Sequence, residues 1–371
     1  VTTRVLFGDL RTGRIFGEID VTGSSWAQTL NAAGSIDQVV VPDDVIARLA
    51  LRRTAQAARS FLAVELDDWV QEAGPIWSRS YDWVQGQLTL GAAGLWSLFD
   101  HRKVIPVLAA GQKVQSVKTV LTGADLGEIA RALVAQAISW TGGNLPLVLP
   151  AARPGSTNTE TFLGWQLLTL SDQLTQLTQR AAAAPDIRFQ PQRNPSDGRF
   201  MQWVMQTGTG AAPQLSQVGD DWVFDTTAPR GPVLGIATDE EGTAMGSRGW
   251  TTGNGTDEDT IIGTAYDSTL VDAGWPLLEQ ENQHSEVEVQ ATVDGYAAQL
   301  VGRAARPVEV WKVTVTAAAA REVLAGDYAQ VVTKNHPWLG SGTTRMRVQK
   351  KSGDLTDRVV LDMYPLQPAV S

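Results

Sequence analysis

The chain has 371 residues, 43% of them hydrophobic and 19% charged, with no cysteine and a formal net charge of −10. That length exceeds what one core usually fills, so two or three domains are expected, and the apolar fraction excludes intrinsic disorder. The missing cysteine excludes disulfides and thiolate sites and fits assembly in a reducing cytoplasm, while the acidity argues against a surface that grips nucleic-acid phosphates.

Val1 to Arg14 carries no apolar core of signal-peptide length, and no apolar run approaches the roughly 20 residues of a membrane span. The sequence therefore predicts a soluble protein that is not secreted by that route. Val5-Leu6-Phe7 and Arg14 to Val21 alternate with period two around a turn at Arg11-Thr12-Gly13, the pattern of half-buried strands. A loop with Gly23, Ser24 and Ser25 leads to Trp26. Leu30 to Gly34 reads as a turn, with Asn31 and Gly34 at positive φ, before a strand from Ile36 to Val41.

Pro42-Asp43-Asp44 predicts a helix start, with carboxylates at the positive end of the dipole and an amphipathic pattern running to Ala58. Strands are expected over Phe61 to Leu66, Ile76 to Tyr81 and Gln87 to Leu90, and a brief helix over Gly94 to Phe99. These elements make residues 1–112 one barrel-like domain. Residues 113–205 read as an α+β segment: a strand from Val114 to Leu121, helices near 124–139 and 171–184, and a proline-rich stretch from Leu145 to Gly155. Thr122, three places before Asp125, looks like the first helix's start signal.

Ile187 to Gln190 and Phe200 to Met205 flank Pro195-Ser196-Asp197-Gly198, whose residue types predict a tight hairpin turn. Residues 206–305 read as a loop-rich β region ending in a helix over 286–304, with Ser285 and Glu288 as a capping box. Residues 306–371 predict a strand meander: Val308 to Val315, Tyr328 to Thr333, Met346 to Lys350 and Val359 to Tyr364. The fold class that follows is α+β and β-rich, with two β modules and helical segments between them.

Motifs that carry chemistry are missing. His101, His284 and His336 lack a second histidine or a carboxylate at metal-motif spacing, and neither a Gly-x-Ser-x-Gly elbow nor a Gly-Lys-Ser/Thr phosphate loop occurs. Gly208 to Pro213 begins like a dinucleotide fingerprint but has proline where the last glycine belongs. Asp67, Asp68 and Glu72 are acidic neighbours that a glycosidase pair could use, without any spacing that singles them out. Asn254, Asp257, Glu258 and Asp259 form a carboxylate-rich loop, and Asn254, Asp257 and Asp259 are weak calcium candidates whose spacing misses the EF-hand pattern. No cofactor is expected, and the chain reads as a non-enzyme. Thirteen Trp against eight Phe and five Tyr suit either saccharide stacking or rigid packing. Because Trp26, Trp69, Trp77, Trp83 and Trp96 fall in separate predicted elements, packing is the favoured reading.

Gly13 to Ile19, Ser25-Trp26 and Leu30 to Gly34 before Val39-Val40-Val41 resemble the opening of minor tail proteins of long-tailed phages of actinobacteria, related to baseplate hub proteins. Gly74 to Trp77, Gly94 to Asp100, Gly274 to Leu278 and Gly326-Asp327-Tyr328 are similar to the same group in the same order. The resemblance implies a phage hub-like fold of two tube-like antiparallel β-barrel domains per subunit. It further implies a homotrimer forming a pseudo-sixfold ring at the tail tip of the virion, assembled in the host cytoplasm. The ring would join a sixfold tail tube to a threefold tip and line the channel through which the genome leaves, without sequence-specific nucleic-acid binding. Partners would be the distal tail protein or tail tube, the tape measure protein and other minor tail proteins. No catalytic residue carries over. Trp26, Asn31, Gly34, Trp77 and Trp96 are the interface and structural candidates. A host cell-wall saccharide-binding minor tail protein is the alternative, and a cell-wall hydrolase the remaining one.

Overall fold

The computed structural model describes residues 2–180, 183–285 and 287–366. Contacts divide the chain into two units, Val1–Ile236 with Lys312–Ser371, and Ala237–Trp311. The expected segment ends at 112 and 205 both fall inside the first unit.

That unit opens with strands β1 (Thr3–Asp9), β2 (Ile15–Ile19), β3 (Gly23–Thr29) and β4 (Ser35–Pro42), then helices α1 (Asp43–Arg48) and α2 (Leu51–Thr54). The single helix expected to Ala58 is thus split and shortened. Ala50 sits at φ 49°, and a left-handed residue interrupts the helical hydrogen-bond ladder. Strands β5 (Ser60–Leu66), β6 (Trp69–Asp82) and β7 (Gln87–Ala93) follow, then a 3₁₀ turn over Leu95–His101 where a brief helix is expected. Asp67 and Asp68 join β5 to β6 with φ of 45° and 69°, the two-residue geometry whose twist matches antiparallel strands.

Next come β8 (Lys118–Ala124) and α3 (Leu126–Ile138). The helix is started by Asp125 rather than Thr122, the Asp125 carboxylate accepting the Glu128 N–H at 2.7 Å. The proline-rich stretch contains β9 (Leu147–Val148) and leads into β10 (Pro154–Leu163), which pairs with β8. Helix α4 (Leu170–Thr178) ends before the expected 184, and residues 181 and 182 of that expectation lie outside the described residues. The hairpin forms as read: β11 (Ile187–Arg193) pairs with β12 (Met201–Thr207), and β9 adds to β12 in parallel. Apolar faces of these pieces meet in one core, where Ile129, Leu133 and Val134 of α3 and Leu174 and Leu177 of α4 join Phe61, Phe99 and Trp203. Trp203 meets Phe61 edge-on at 5.8 Å and donates its indole N–H to the Ala73 carbonyl at 2.9 Å. Its one polar atom is therefore satisfied although the side chain is fully buried.

Strand β13 (Trp222–Asp225) follows, and β14 (Val233–Glu241) runs across the start of the second unit at Ala237. That unit holds β15 (Arg248–Thr252), β16 (Ile262–Tyr266), helix α5 (Thr269–Asp272), β17 (Glu279–Gln283) and helix α6 (Gln290–Ala304). Strand β15 lies between β16, antiparallel, and β17, parallel. Val293, Ala297, Val301 and Ala304 form the buried stripe of α6. Gly249 and Gly263 let the helix come close, since a Cβ on Gly263 would meet the Val293 carbonyl at 2.5 Å. The helix starts at Gln290 with Val289 at its cap, so Ser285 and Glu288 do not cap it, and residue 286 lies outside the described residues.

The chain ends with β18 (Val308–Thr316), helix α7 (Ala317–Ala320), β19 (Tyr328–His336), β20 (Gly340–Asp354) and β21 (Arg358–Pro365); β19, β20 and β21 pair in sequence order as a meander does, whereas β18 lies beside β21 and not beside β19. One sheet runs β14-β18-β21-β20-β3-β4-β7-β6-β5-β1-β2, with β19 beside β20 and β13 beside β19. Antiparallel pairing of β20 with β3, Lys351 opposite Gln28 and Gly353 opposite Trp26, joins the two ends of the chain. Pairing also explains why Gly23–Ser25 is strand instead of the expected loop: Gly23 pairs with Val40 of β4, and Ser25 with Asp37 of β4 and Asp354 of β20. The ladder, with β4 along one side and β20 joining from Ser25 onward, holds small residues whose own propensity is weak. The architecture is the expected β-rich α+β class, built from large antiparallel sheets. Among the described residues no helix is long and apolar enough to cross a membrane.

Candidate functional site

The densest buried chemistry lies where the N-terminal strands, the β11–β12 hairpin and the C-terminal strands of the first unit meet. Asn31, at φ 60° in the turn after β3, donates to Asp186 Oδ1 at 3.1 Å and accepts the Ile187 N–H at 2.7 Å. Asp186 also accepts the Leu215 N–H at 2.7 Å and pairs with Arg347 Nη2. Both side chains of that pair are 7% exposed, so each charge needs the other.

Arg188, equally buried, forks onto Gln206 Oε1 at 2.9 and 2.7 Å, donates to the Ala325 carbonyl and lies 3.8 Å from Asp327. Burial lowers its pKa, opposed by Asp327 and Asp186. Asp327 in turn accepts the Trp222 indole N–H at 2.9 Å and the Leu324 N–H at 3.0 Å. Gln28 of β3 accepts the Ala325 N–H at 2.9 Å and donates to Gln190 at 3.2 Å. A second tie is made by Glu65 of β5, fully buried and gripped through both oxygens by Arg193 of β11 at 2.5 and 2.8 Å.

Two ionisable groups beside this node are forced from their ordinary behaviour. Lys351 donates to the carbonyls of Arg321 and Val323 at 3.1 and 2.8 Å, and burial pushes its pKa down to about 7. Glu72 of β6 is pushed up to about 8 by burial, against the lowering effect of the Ala73 N–H at 2.9 Å. Gly34 and Gly94 make room for it, since a Cβ on Gly34 would lie 1.9 Å from Glu72 Oε2. The cavity there is about 20 Å³, lined also by Gln28, Trp96 and Arg188, which is room for one water and not for a substrate.

The predicted residues fall into this picture unevenly. Trp26 is buried in β3, with Lys351 Nζ 5.7 Å from its ring centroid. Asn31 has the positive φ expected of it; Gly34 does not, and is glycine because Glu72 and the Ala27 carbonyl crowd it. Trp96 is buried edge-on to Phe189 at 5.8 Å. Trp77 is half-buried and donates to Ser97 Oγ at 2.8 Å. The reading of tryptophan as packing filler needs correction for Trp69 and Trp83, 45% and 85% exposed. Trp69 opens β6 directly after the Asp67–Asp68 turn, and Trp83 lies in the turn that follows Asp82, so both stand at hairpin ends where little packs on them.

Asp67 and Asp68 serve the β5–β6 turn, accepting the Thr2 N–H at 2.8 Å and pairing with Arg4, respectively. Glu72 points into the core, so the three do not flank a common space. His336, the last residue of β19 and not the loop histidine expected, accepts the Leu339 N–H on Nδ1 at 3.1 Å. In the second unit Asn254 donates to Glu288 at 3.1 Å, and Asp257 and Asp259 lie exposed on a 3₁₀ turn. Among the described residues no three His, Cys, Asp or Glu side chains gather into a metal-holding group.

Sequence reasoning missed Asp186, Arg188, Glu65, Arg347 and Lys351, whose burial is decided by distant strands. A faint signal was present in Phe61-Leu62-Ala63-Val64-Glu65-Leu66, where one acid interrupts an apolar run. The polar groups of the node are turned toward one another, a geometry that locks chain segments and leaves none poised over an open cleft.

No protein-family model and no curated protein matches the sequence. Solved structures share its fold from end to end. The 43 kDa tail protein of prophage MuSo2 from Shewanella oneidensis aligns over 97% of both chains at 13% identity and TM-score 0.57. A tail protein from Neisseria meningitidis MC58 aligns over 98% of this chain and 97% of its own, at 14% and 0.55. The prophage tail protein gp18 from Listeria monocytogenes EGD-e covers 98% and 94%, at 9% and 0.52. At these identities the likeness is one of fold.

Proposed function

We propose that this chain is a structural hub subunit of a phage tail tip, located in the virion and without enzymatic activity. The observation that carries the reading is the shared fold over nearly the whole of three tail proteins, two of them from prophages, with neither partner of the alignment leaving a large remainder. A buried ionic node that ties both ends of the chain to its middle supports it, because a subunit that transmits load gains from segments that cannot slide apart. In this reading three copies form a ring that joins a sixfold tail tube to a threefold tip. The neighbours are the distal tail protein or tail tube, the tape measure protein and other minor tail proteins. The genome passes through the lumen, where an acidic wall repels phosphates and keeps DNA from sticking, in keeping with the net charge of −10.

Native mass spectrometry of the purified chain, together with peptide mapping of virions, tests this. A trimer in solution and peptides in the tail fraction are expected. A strictly monomeric protein absent from particles overturns the proposal.

A further inference from the structure

The three-stranded sheet of the second unit has two unlike faces. Gly249 and Thr251 of β15 and Gly263 of β16 are buried on the side that carries α6. The alternate residues form the other face in three rows set by the register: Tyr266, Arg248 and Glu279; Thr264, Trp250 and Glu281; Ile262, Thr252 and Gln283. Among the described residues no element of this unit covers that face, and Tyr266 and Ile262 are about half exposed. Trp250 is held in place by its indole N–H, which donates to Glu279 Oε1 at 3.0 Å. The Arg248 guanidinium stands between the rings, 5.7 Å from the centroid of Trp250 and 5.1 Å from that of Tyr266. The Glu281 carboxylate, the Gln283 amide and the Thr264 hydroxyl make no hydrogen bond within the described residues.

We infer that this face is a binding platform for a neutral oligosaccharide. A pyranose ring presents a C–H face that packs on an indole or phenol ring, and hydroxyls that both donate and accept. Trp250 and Tyr266 supply the apolar surface, Glu281 accepts hydroxyl protons, and Arg248 and Gln283 donate to sugar oxygens. The charges of the face select the ligand. Glu279 and Glu281 repel a phosphate chain or an acidic sugar, and an apolar protein surface would strip water from Glu281 and Arg248 without replacing those hydrogen bonds. A polyol keeps every charged group hydrogen-bonded. This site is independent of the hub assignment: a sugar titration reads one and oligomeric mass reads the other.

The test is titration of the full chain, followed by tryptophan fluorescence and ligand-observed NMR. The probes are three neutral tetrasaccharides (N-acetylchitotetraose, cellotetraose and a galactotetraose) and the acidic tetragalacturonate. At least one neutral probe is expected to saturate with a Kd on the order of 1 mM or tighter. Trp250→Ala and the surface substitution Glu281→Gln should each weaken that binding about tenfold or more, while Trp338→Ala, on the β19–β20 turn, should leave it unchanged. The inference is overturned if no neutral probe saturates below about 10 mM, if Glu281→Gln and Tyr266→Ser both leave binding intact, or if tetragalacturonate binds as well as the neutral sugars.

Discussion

Glu72→Gln converts the unusual carboxyl of β6 into a group of the same shape that cannot ionise. In the native protein burial raises this carboxyl from 4.5 to about 8. Between those values the unfolded chain has released the proton that the folded chain retains, so the folded state binds more protons and stability falls as pH rises through the window. The stability attached to the protonated carboxyl is fully present below the unfolded value and is lost on the way to about pH 8. From pH 5 to pH 8 the loss amounts to about 3–4 kcal/mol, at 1.36 kcal/mol per pKa unit. The glutamine variant carries no such dependence, and its side-chain oxygen can still accept the Ala73 N–H. Urea unfolding of both proteins, followed by tryptophan fluorescence at pH 5, 6.5 and 8, isolates the effect because all other titrations cancel in the difference. The variant should gain about 3–4 kcal/mol over the native protein between the two extremes. A gap that stays constant within about 1 kcal/mol would refute the claim that the folded protein holds Glu72 protonated at neutral pH.

Gly34→Ala should cost about 2–3 kcal/mol in a thermal or urea melt, because the new Cβ meets both Glu72 Oε2 and the Ala27 carbonyl, and the backbone atom cannot swing away. Asn31→Gly keeps the left-handed backbone but removes two hydrogen bonds, for a loss of about 1–3 kcal/mol in the same measurement. Asn31→Ala should lose about 1 kcal/mol more, since alanine resists φ 60°. Arg347→Met strands the Asp186 carboxylate and should destabilise by about 3–5 kcal/mol, whereas the double change with Asp186→Asn should recover part of the loss in a double-mutant cycle.

The parts of the fold legible in the sequence are those whose signal is local. Helix α3 shows its apolar stripe from Leu126 to Ile138, the β11–β12 hairpin shows alternation on both sides of Pro195–Gly198, and the C-terminal strands stand between glycine-bearing turns. Errors fell where a local preference met a stronger distant one. Gly23 to Ser25 are poor strand formers that become strand against β4, with β20 joining at Ser25, and the helix after Pro42 breaks at Ala50, where no glycine or proline warns of it. Tryptophan shows a similar limit: Trp26 and Trp83 are the same residue type, and only their place in the fold, one within β3 and the other in the turn after β6, makes one core and the other surface.

For the site the division is sharper. Composition, the absence of catalytic motifs and a β-rich pattern of elements were determined by the sequence alone, because they depend on residue identity and spacing along a few neighbours. The node was decided by tertiary structure. An aspartate, two arginines and a lysine read as surface charges until β20 is laid beside β3 and the hairpin is brought against both ends of the chain. Burial then strips them of water, and hydrogen bonds from partners far away in sequence must replace it. The open face of the second unit follows the same rule, since Arg248, Trp250, Tyr266 and Glu281 become one surface only through the register of three strands.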